Sequence, residues 1–127
     1  MADILVIDDE ESVRYSFHRF LTMENHSVVT AACYCSALLL MDTKCFDLIL
    51  ADIHLPDGCG VDIIGEITRR NIKTGVIIMT AYPCNEAIRM SFSMDAIDYL
   101  VKPLRQKKLV YSVNNALMHI SHAQSPS

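Results

Sequence analysis

The sequence predicts an α/β domain built on a doubly wound parallel sheet. Five short apolar runs recur along the chain, and a longer amphipathic segment follows each of them. Strands that alternate with helices imply βαβ crossovers, hence parallel strands with helices on both faces. Three of the runs are rich in Val and Ile and lack polar alternation, as strands covered on both sides should.

The first run is "ILVI" (4–7). After Asp9, residues Val13, Phe17, Phe20, Leu21 and Glu24 fall on helical spacing, with the apolar members on one stripe. "SVVTA" (27–31) is the second strand, and "CSALLLMDT" (35–43) the second helix. "LILA" (48–51) is the third strand; a helix over 60–71 follows, with Val61, Ile64 and Ile67 three apart. "GVIIMT" (75–80) leads into a helix that begins near Cys84, after Pro83, and includes Ala87 and Ile88 and extends toward Phe92. "IDYLV" (97–101) is the fifth strand. The last helix runs from about Gln106 to His119, with Leu109, Val113, Leu117 and Ile120 spaced by four, four and three. The tail "SHAQSPS" is polar and short and is expected to fray. The expected organisation is one domain over 1–121, then a polar tail or the start of a linker over 122–127.

Composition narrows the function classes. A chain of 127 residues fits one domain, and 51% apolar with 20% charged residues favours a core over disorder. The net charge is −4, from 11 basic and 15 acidic side chains, which argues against this domain gripping nucleic acid by itself. "MADILVIDDE" has no basic start followed by a long apolar stretch, so no signal peptide is expected. No apolar run approaches the ~20 residues of a membrane helix, so a cytoplasmic protein without membrane contact is expected. Five cysteines, an odd count without a C-x-x-C pair, fit reduced thiols acting as small hydrophobes.

Ligands of such a sheet bind outside the carboxyl ends of its strands. Asp8 and Asp9 follow the first strand, Asp52 the third, Thr80 ends the fourth and Lys102 follows the fifth. Three carboxylates converging on one edge repel one another, and a hard divalent cation with oxygen ligands is the natural counter-ion. Mg²⁺ suits best because it accepts one or two carboxylates and keeps waters and a phosphoryl oxygen. Lys102 adds a mobile positive charge and Thr80 a hydroxyl. The set describes a site for a phosphoryl group. Without a histidine or serine poised to attack, a carboxylate must be the nucleophile.

These residues resemble the receiver domain of two-component response regulators. The resemblance covers roughly residues 3–120 and rests on "VIDDE" (6–10), "LILADIHLPDGCGVDII" (48–64), "VIIMTAY" (76–82) and "DYLVKPL" (98–104), in that order. "AYPCNEAIRMSFSMDAIDYLVKP" resembles most the receivers of enhancer-dependent, NtrC-type transcription activators. The resemblance implies a five-stranded (βα)5 flavodoxin-like fold with strand order 2-1-3-4-5. It implies that Asp52 accepts a phosphoryl group from a phosphohistidine of a sensor histidine kinase or phosphotransfer protein, and that the product controls an output, transcription first among them. It further implies that Mg²⁺ (or Mn²⁺) is held by Asp9 and Asp52 directly, by Asp8 through water, and by the backbone carbonyl of His54. Lys102 would bind a phosphoryl oxygen. Thr80 and Tyr99 would be the switch pair, Pro103 would follow a cis peptide, and Ala81 and Tyr82 would line the site. A phosphorylation-dependent homodimer belongs to the same expectation. The only chemistry implied is the domain's own phosphorylation and dephosphorylation.

Two positions carry further expectations. The family usually has Gly before the fifth strand where this chain has Asp95, a residue that tolerates a left-handed backbone better than most but less well than Gly. His54 and Tyr82 lie two residues after Asp52 and Thr80, where the family tunes acyl-phosphate lifetime; a bulky pair there implies a long one.

Plainer readings stand beside these. Asp8-Asp9 would serve as a helix cap, Tyr99 as a half-buried aromatic, and Arg105, Lys107 and Lys108 as a solvated basic face or a partner surface. His119 and His122 have ligand-like spacing but no third ligand. Two rival functions compete with this reading. A haloacid dehalogenase-like Mg²⁺-dependent phosphatase would need an acid where His54 stands, paired acids late in the chain, and a cap domain. A degenerate receiver acting only as a docking module is opposed by the full set Asp8, Asp9, Asp52, Thr80 and Lys102.

Overall fold

The computed structural model describes residues 1–124. Strands β1 (Asp3–Ile7), β2 (Ser27–Ala31), β3 (Leu48–Asp52), β6 (Gly75–Thr80) and β7 (Asp98–Val101) form one parallel sheet in the order β2-β1-β3-β6-β7. Counting sheet strands alone, this is the expected order 2-1-3-4-5. The helices are α1 (Glu11–Met23), α2 (Tyr34–Thr43), α3 (Val61–Arg70), α4 (Asn85–Ser93) and α5 (Gln106–Gln124).

The unalternating strands divide their side chains between two cores. Leu5, Ile7, Ile49, Ala51, Val76 and Ile78 face the side of α2 and α3. Ile4, Val6, Leu48, Leu50, Ile77 and Met79 face the side of α1 and α5. A strand with both faces covered reads as a continuous apolar run, and β3 is buried at every position. Each fully buried Leu or Ile contributes roughly 1.5–3 kcal/mol of transfer free energy. The central strands are therefore the most rigid platform the chain offers. The edge strands are less covered: β2 has one buried residue, Ala31, and β7 one, Leu100.

The helical stripes follow their spacing, with three departures. Phe17 and Leu21 of α1, Val61, Ile64 and Ile67 of α3, and Leu109 and Val113 of α5 are buried. In α4, Phe92 is 47% exposed and Ser91 takes the inward position instead. The expected side-chain place of Ala87 lies outside the described residues. Helix α5 continues past His119 to Gln124, because no Gly or Pro interrupts the sequence before Pro126. Residues 125–127 of the polar tail and the side chain of His122 lie outside the described residues. Finally, a short hairpin, β4 (His54–Leu55) with β5 (Gly58–Cys59), stands between β3 and α3, a segment for which the sequence predicts no strand.

Three helix ends close in the left-handed region without glycine: Asn25 (φ 66°), Asn71 (φ 55°) and Asp95 (φ 71°). After α4, the Asp95 N–H donates to the Phe92 carbonyl and the Ala96 N–H to the Ser91 carbonyl. Asp95 is exposed, so its side chain costs only the backbone conformation. Asp95→Gly should stabilise the protein by about 0.5–1 kcal/mol and raise Tm by about 2–5 °C. Differential scanning calorimetry checks this, and an unchanged or lower Tm counts against it.

The far edge of the sheet holds a titratable contact. The His26 Nδ1 accepts from the Ala2 N–H at 3.1 Å. Burial, and then the nearby N-terminal charge, lower the His26 pKa. The folded state therefore prefers neutral His26, and its contribution is present above the unfolded value and lost as pH falls below it. Between about pH 7.5 and 5.5, wild-type stability should fall more steeply than that of His26→Asn, whose amide oxygen keeps the acceptor without the titration. Denaturant melts at the two pH values measure this; parallel losses in both proteins would refute it.

Candidate functional site

Register brings the polar groups together. Ile7 pairs with Ala51, so the next residues along, Asp8 and Asp52, sit side by side at the carboxyl edge. Asp52 pairs with Met79, one step before Thr80, and Thr80 pairs with Val101, one step before Lys102. The Lys102 N–H donates to the Thr80 carbonyl at 2.7 Å, continuing the ladder to the lysine itself. The Lys102–Pro103 peptide is cis.

At the centre lies the Lys102 ammonium. It donates to Asp52 Oδ2 at 2.7 Å, to Asp8 Oδ2 at 2.8 Å and to Glu10 Oε1 at 3.3 Å. Asp8 is fully buried and Asp52 nearly so. Burial alone would lower the Lys102 pKa; the bonds to Asp52 and Asp8 outweigh it and hold the ammonium well above its ordinary value. Burial raises the Asp8 pKa, against the opposing bonds from Lys102 and the Glu10 N–H. Both carboxylates are further fixed by backbone. The Asp8 Oδ1 accepts from the Glu10 N–H at 2.9 Å, and the Asp52 Oδ1 accepts from the His54 N–H at 3.0 Å. The Arg14 Nη1 donates to the Asp8 carbonyl at 2.8 Å, tying α1 to the same corner.

Asp9 is exposed beside this corner. Oxygens of Asp8, Asp9 and Glu10 lie within 4.8 Å of one another, a spacing that fits one hard cation. Hard oxygen donors, one of them a buried acid with a raised pKa, are the chemistry such a cation relieves. Among the described residues this is the one acidic group of that kind, and the Asp52 carboxylate lies outside it, turned to Lys102. Glu10 was not singled out from the sequence. Its signal was the third acid of "DDE", and α1 begins immediately after it, with Glu10 as N-cap and no side-chain capping bond.

The remaining positions surround this corner. Thr80 is fully buried, and its Oγ1 accepts from the Tyr82 N–H at 3.0 Å. Ala81 and Tyr82 are exposed. The Tyr82 ring meets the His54 imidazole edge-on, with centroids 5.9 Å apart and planes at 71°. His54 is itself exposed, so the two rings form a rim. The Tyr99 hydroxyl is buried beside Cys84, in the segment that leads into α4, and burial raises its pKa. A groove of about 330 Å³ opens next to Lys102 between α1 and the β7–α5 connection, lined by Val13, Phe17, Ala81, Pro103 and Leu104.

Backbone proximity shapes the segment after Asp52. The Ile53 N–H donates to the Met79 carbonyl at 2.9 Å, and the Gly60 N–H to the Ile53 carbonyl at 3.0 Å. A Cβ on Gly60 would collide with the Asp52 carbonyl, so only glycine lets the chain return this close to the acid.

Comparison with known proteins agrees with this arrangement. A response regulator receiver domain model matches residues 4–114. The transcriptional regulatory protein ZraR of Klebsiella oxytoca is 35% identical over 124 residues, which span 98% of this chain and 28% of that protein. The DNA-binding transcriptional regulator NtrC of Klebsiella pneumoniae is 32% identical over 121 residues, 95% of this chain and 26% of that protein. The chain thus spans little more than a quarter of these relatives. A CheY-like receiver domain protein from Methanospirillum hungatei JF-1 superposes with a TM-score of 0.91 at 25% identity, covering 97% of this chain and 98% of its own. The beryllofluoride-activated NtrC4 receiver domain dimer gives 0.89 at 27%, covering 95% and 100%. A family model that matches from β1 into α5, together with relatives of 35% and 32% identity, shows that the chain belongs to the response regulator receiver domain family.

Proposed function

We propose that this chain is a phosphoacceptor switch of a two-component phosphorelay, with Asp52 as the acceptor. The observation that carries the reading is the buried Asp52 carboxylate, held at one oxygen by the His54 N–H and at the other by Lys102. A group held this way has one orientation and one cationic neighbour, as an in-line nucleophile requires.

In the reaction, the Asp52 carboxylate attacks phosphorus of a phosphohistidine on a sensor kinase or phosphotransfer protein. The new P–O bond forms as the P–N bond breaks, and the electron pair returns to the imidazole. Asp9, Asp52 and the His54 carbonyl would hold Mg²⁺ or Mn²⁺, with Asp8 acting through water. When bound, that cation offsets charge on the phosphoryl oxygens. Lys102 exchanges its present carboxylate partners for a phosphoryl oxygen. The Thr80 hydroxyl turns toward the same group, and Tyr99, its hydroxyl already inward beside Cys84, follows it. The result biases the segment between β6 and α4, which is the output surface.

The names of the relatives support a transcriptional output delivered by a region outside these residues. The NtrC4 receiver dimer supports phosphorylation-dependent pairing of two copies. No described helix is long and apolar enough to cross a membrane. The reading is cytoplasmic signalling with no direct nucleic acid contact by this domain, and no turnover of an external substrate.

Incubation with Mg²⁺ and acetyl phosphate tests the acceptor. Wild type should gain the mass of one phosphoryl group, and Asp52→Asn should gain none while folding as well as wild type or slightly better. The amide can still accept from the His54 N–H, and one member of a like-charged buried pair is gone. Wild type that gains no mass would favour a docking module, and an unfolded Asp52→Asn would make the acid structural.

The His54–Tyr82 rim should govern how long the acyl phosphate lasts, because it stands where water must enter. Replacing both with Ala should speed dephosphorylation about threefold to tenfold, a loss of roughly 1 kcal/mol from the barrier. Decay of the phosphorylated mass after donor removal measures it, and equal rates would remove the idea.

A further inference from the structure

We infer that Asp57 is a positioning residue for the phosphoryl site: its carboxylate ties the β4–β5 hairpin, which carries His54, to the N-terminus of α2. The inference rests on the reading of the His54 carbonyl as a metal ligand, and deepens it.

The hairpin has little to hold it. Its ladder is only His54 with Cys59 and Leu55 with Gly58, and a two-stranded ribbon of that size is marginal alone. Its base is anchored by Ile53 and Gly60, as described above, and by the buried Leu55 side chain. Its tip is anchored by Asp57. The Tyr34 N–H donates to Asp57 Oδ1 at 2.7 Å and the Cys35 N–H to Oδ2 at 2.9 Å. These are the first two backbone N–H groups of α2, which the helix itself leaves unsatisfied, and a carboxylate there also meets the positive end of the helix dipole. The same bonds hold the Asp57 pKa below its ordinary value.

The contact is more than a cap. The local cap of α2 is the Cys33 thiol, which accepts from the Ser36 N–H at 3.5 Å. Asp57 instead comes from across the fold, 23 and 22 residues away from its two donors. Gly58 packs close to the Tyr34 side chain, where a Cβ would come within 3.1 Å of it, so the tip is seated on α2 as well as bonded to it. Asp57 is separated from His54 only by Leu55 and Pro56. Releasing the tip therefore frees the residue whose carbonyl must stay aimed at the cation. By linkage, whatever displaces the start of α2 changes cation affinity, and the converse holds equally.

Mg²⁺ titration of the whole chain by calorimetry, without a phosphodonor, tests this. Asp57→Ala should weaken Mg²⁺ binding about threefold to tenfold, below the ~10–100-fold typical of groups bonded directly to a ligand. Asp57→Asn, which keeps one acceptor and the fold, should lie between it and wild type. Phosphorylation by acetyl phosphate should return to the wild-type rate once Mg²⁺ saturates. Asp42→Asn cuts the α2–α3 ion pair with Arg70 and should leave Mg²⁺ affinity unchanged. An Asp57→Asn affinity within about 1.5-fold of wild type, whatever its Tm, overturns the inference and leaves Asp57 a plain cap. Asp9→Asn separates the two readings: Mg²⁺ binding as tight as wild type in that variant would overturn the metal site itself.

Discussion

The Lys102 ammonium, shared by Asp8 and Asp52, is the contact on which the rest of the site depends. At 2.7 Å and an effective dielectric of about 20, one such pair attracts with about 6 kcal/mol before desolvation. Withdrawing each ion from water costs several kcal/mol, so the net gain over an apolar replacement is small or negative. The cluster is therefore poor evidence of stability and good evidence of function. What it supplies is arrangement: two carboxylates that would repel are held a fixed step apart by one cation that can leave. The neighbouring Glu10, at 3.3 Å and largely exposed, gives that cation a third partner outside the buried pair.

The strands that set this arrangement were legible because both their faces are covered. β3 and β6 show no polar alternation, so their ends could be read from composition, and Asp52 and Thr80 stand at those ends. Lys102 was legible for a related reason, since it follows the last apolar residue of β7 and shares the edge by register. Single residues gave no such signal. Phe92 has helical spacing with Ile88, yet it faces solvent, because Ser91 of α4, and Met94 and Ala96 just past its end, take the inward positions instead. Spacing fixes a stripe but not where a short helix leaves the sheet.

The hairpin after Asp52 was hidden for a different reason. Its ladder is two residues long, too short for any periodicity, and "PDG" announces only a turn. Asp57 was not singled out from the sequence. Its bonds to Tyr34 and Cys35 depend on where α2 begins in space, which sequence distance conceals. Glu10 escaped notice likewise, because its partner lies at the other end of the chain.

Two kinds of restraint therefore meet at one carboxylate. Asp8, Asp52, Thr80 and Lys102 are fixed by sheet register, which cannot slip by one residue without turning buried side chains to the wrong face. Tyr82 stands on the connection between β6 and α4, where few buried contacts oppose motion. A phosphoryl site needs both. The acceptor must be aimed before the donor arrives, which the strands provide. The neighbours must move afterwards, or nothing is signalled, and only connections move cheaply. Thr80 joins the two sets: its backbone ends β6 and holds Lys102, while its hydroxyl receives the Tyr82 N–H of the following segment. Any rotation that takes the hydroxyl to a new acceptor releases Tyr82 at once. On the proposed reading the β6–β7 ladder stays intact, and the motion would run outward, toward Cys84 and α4.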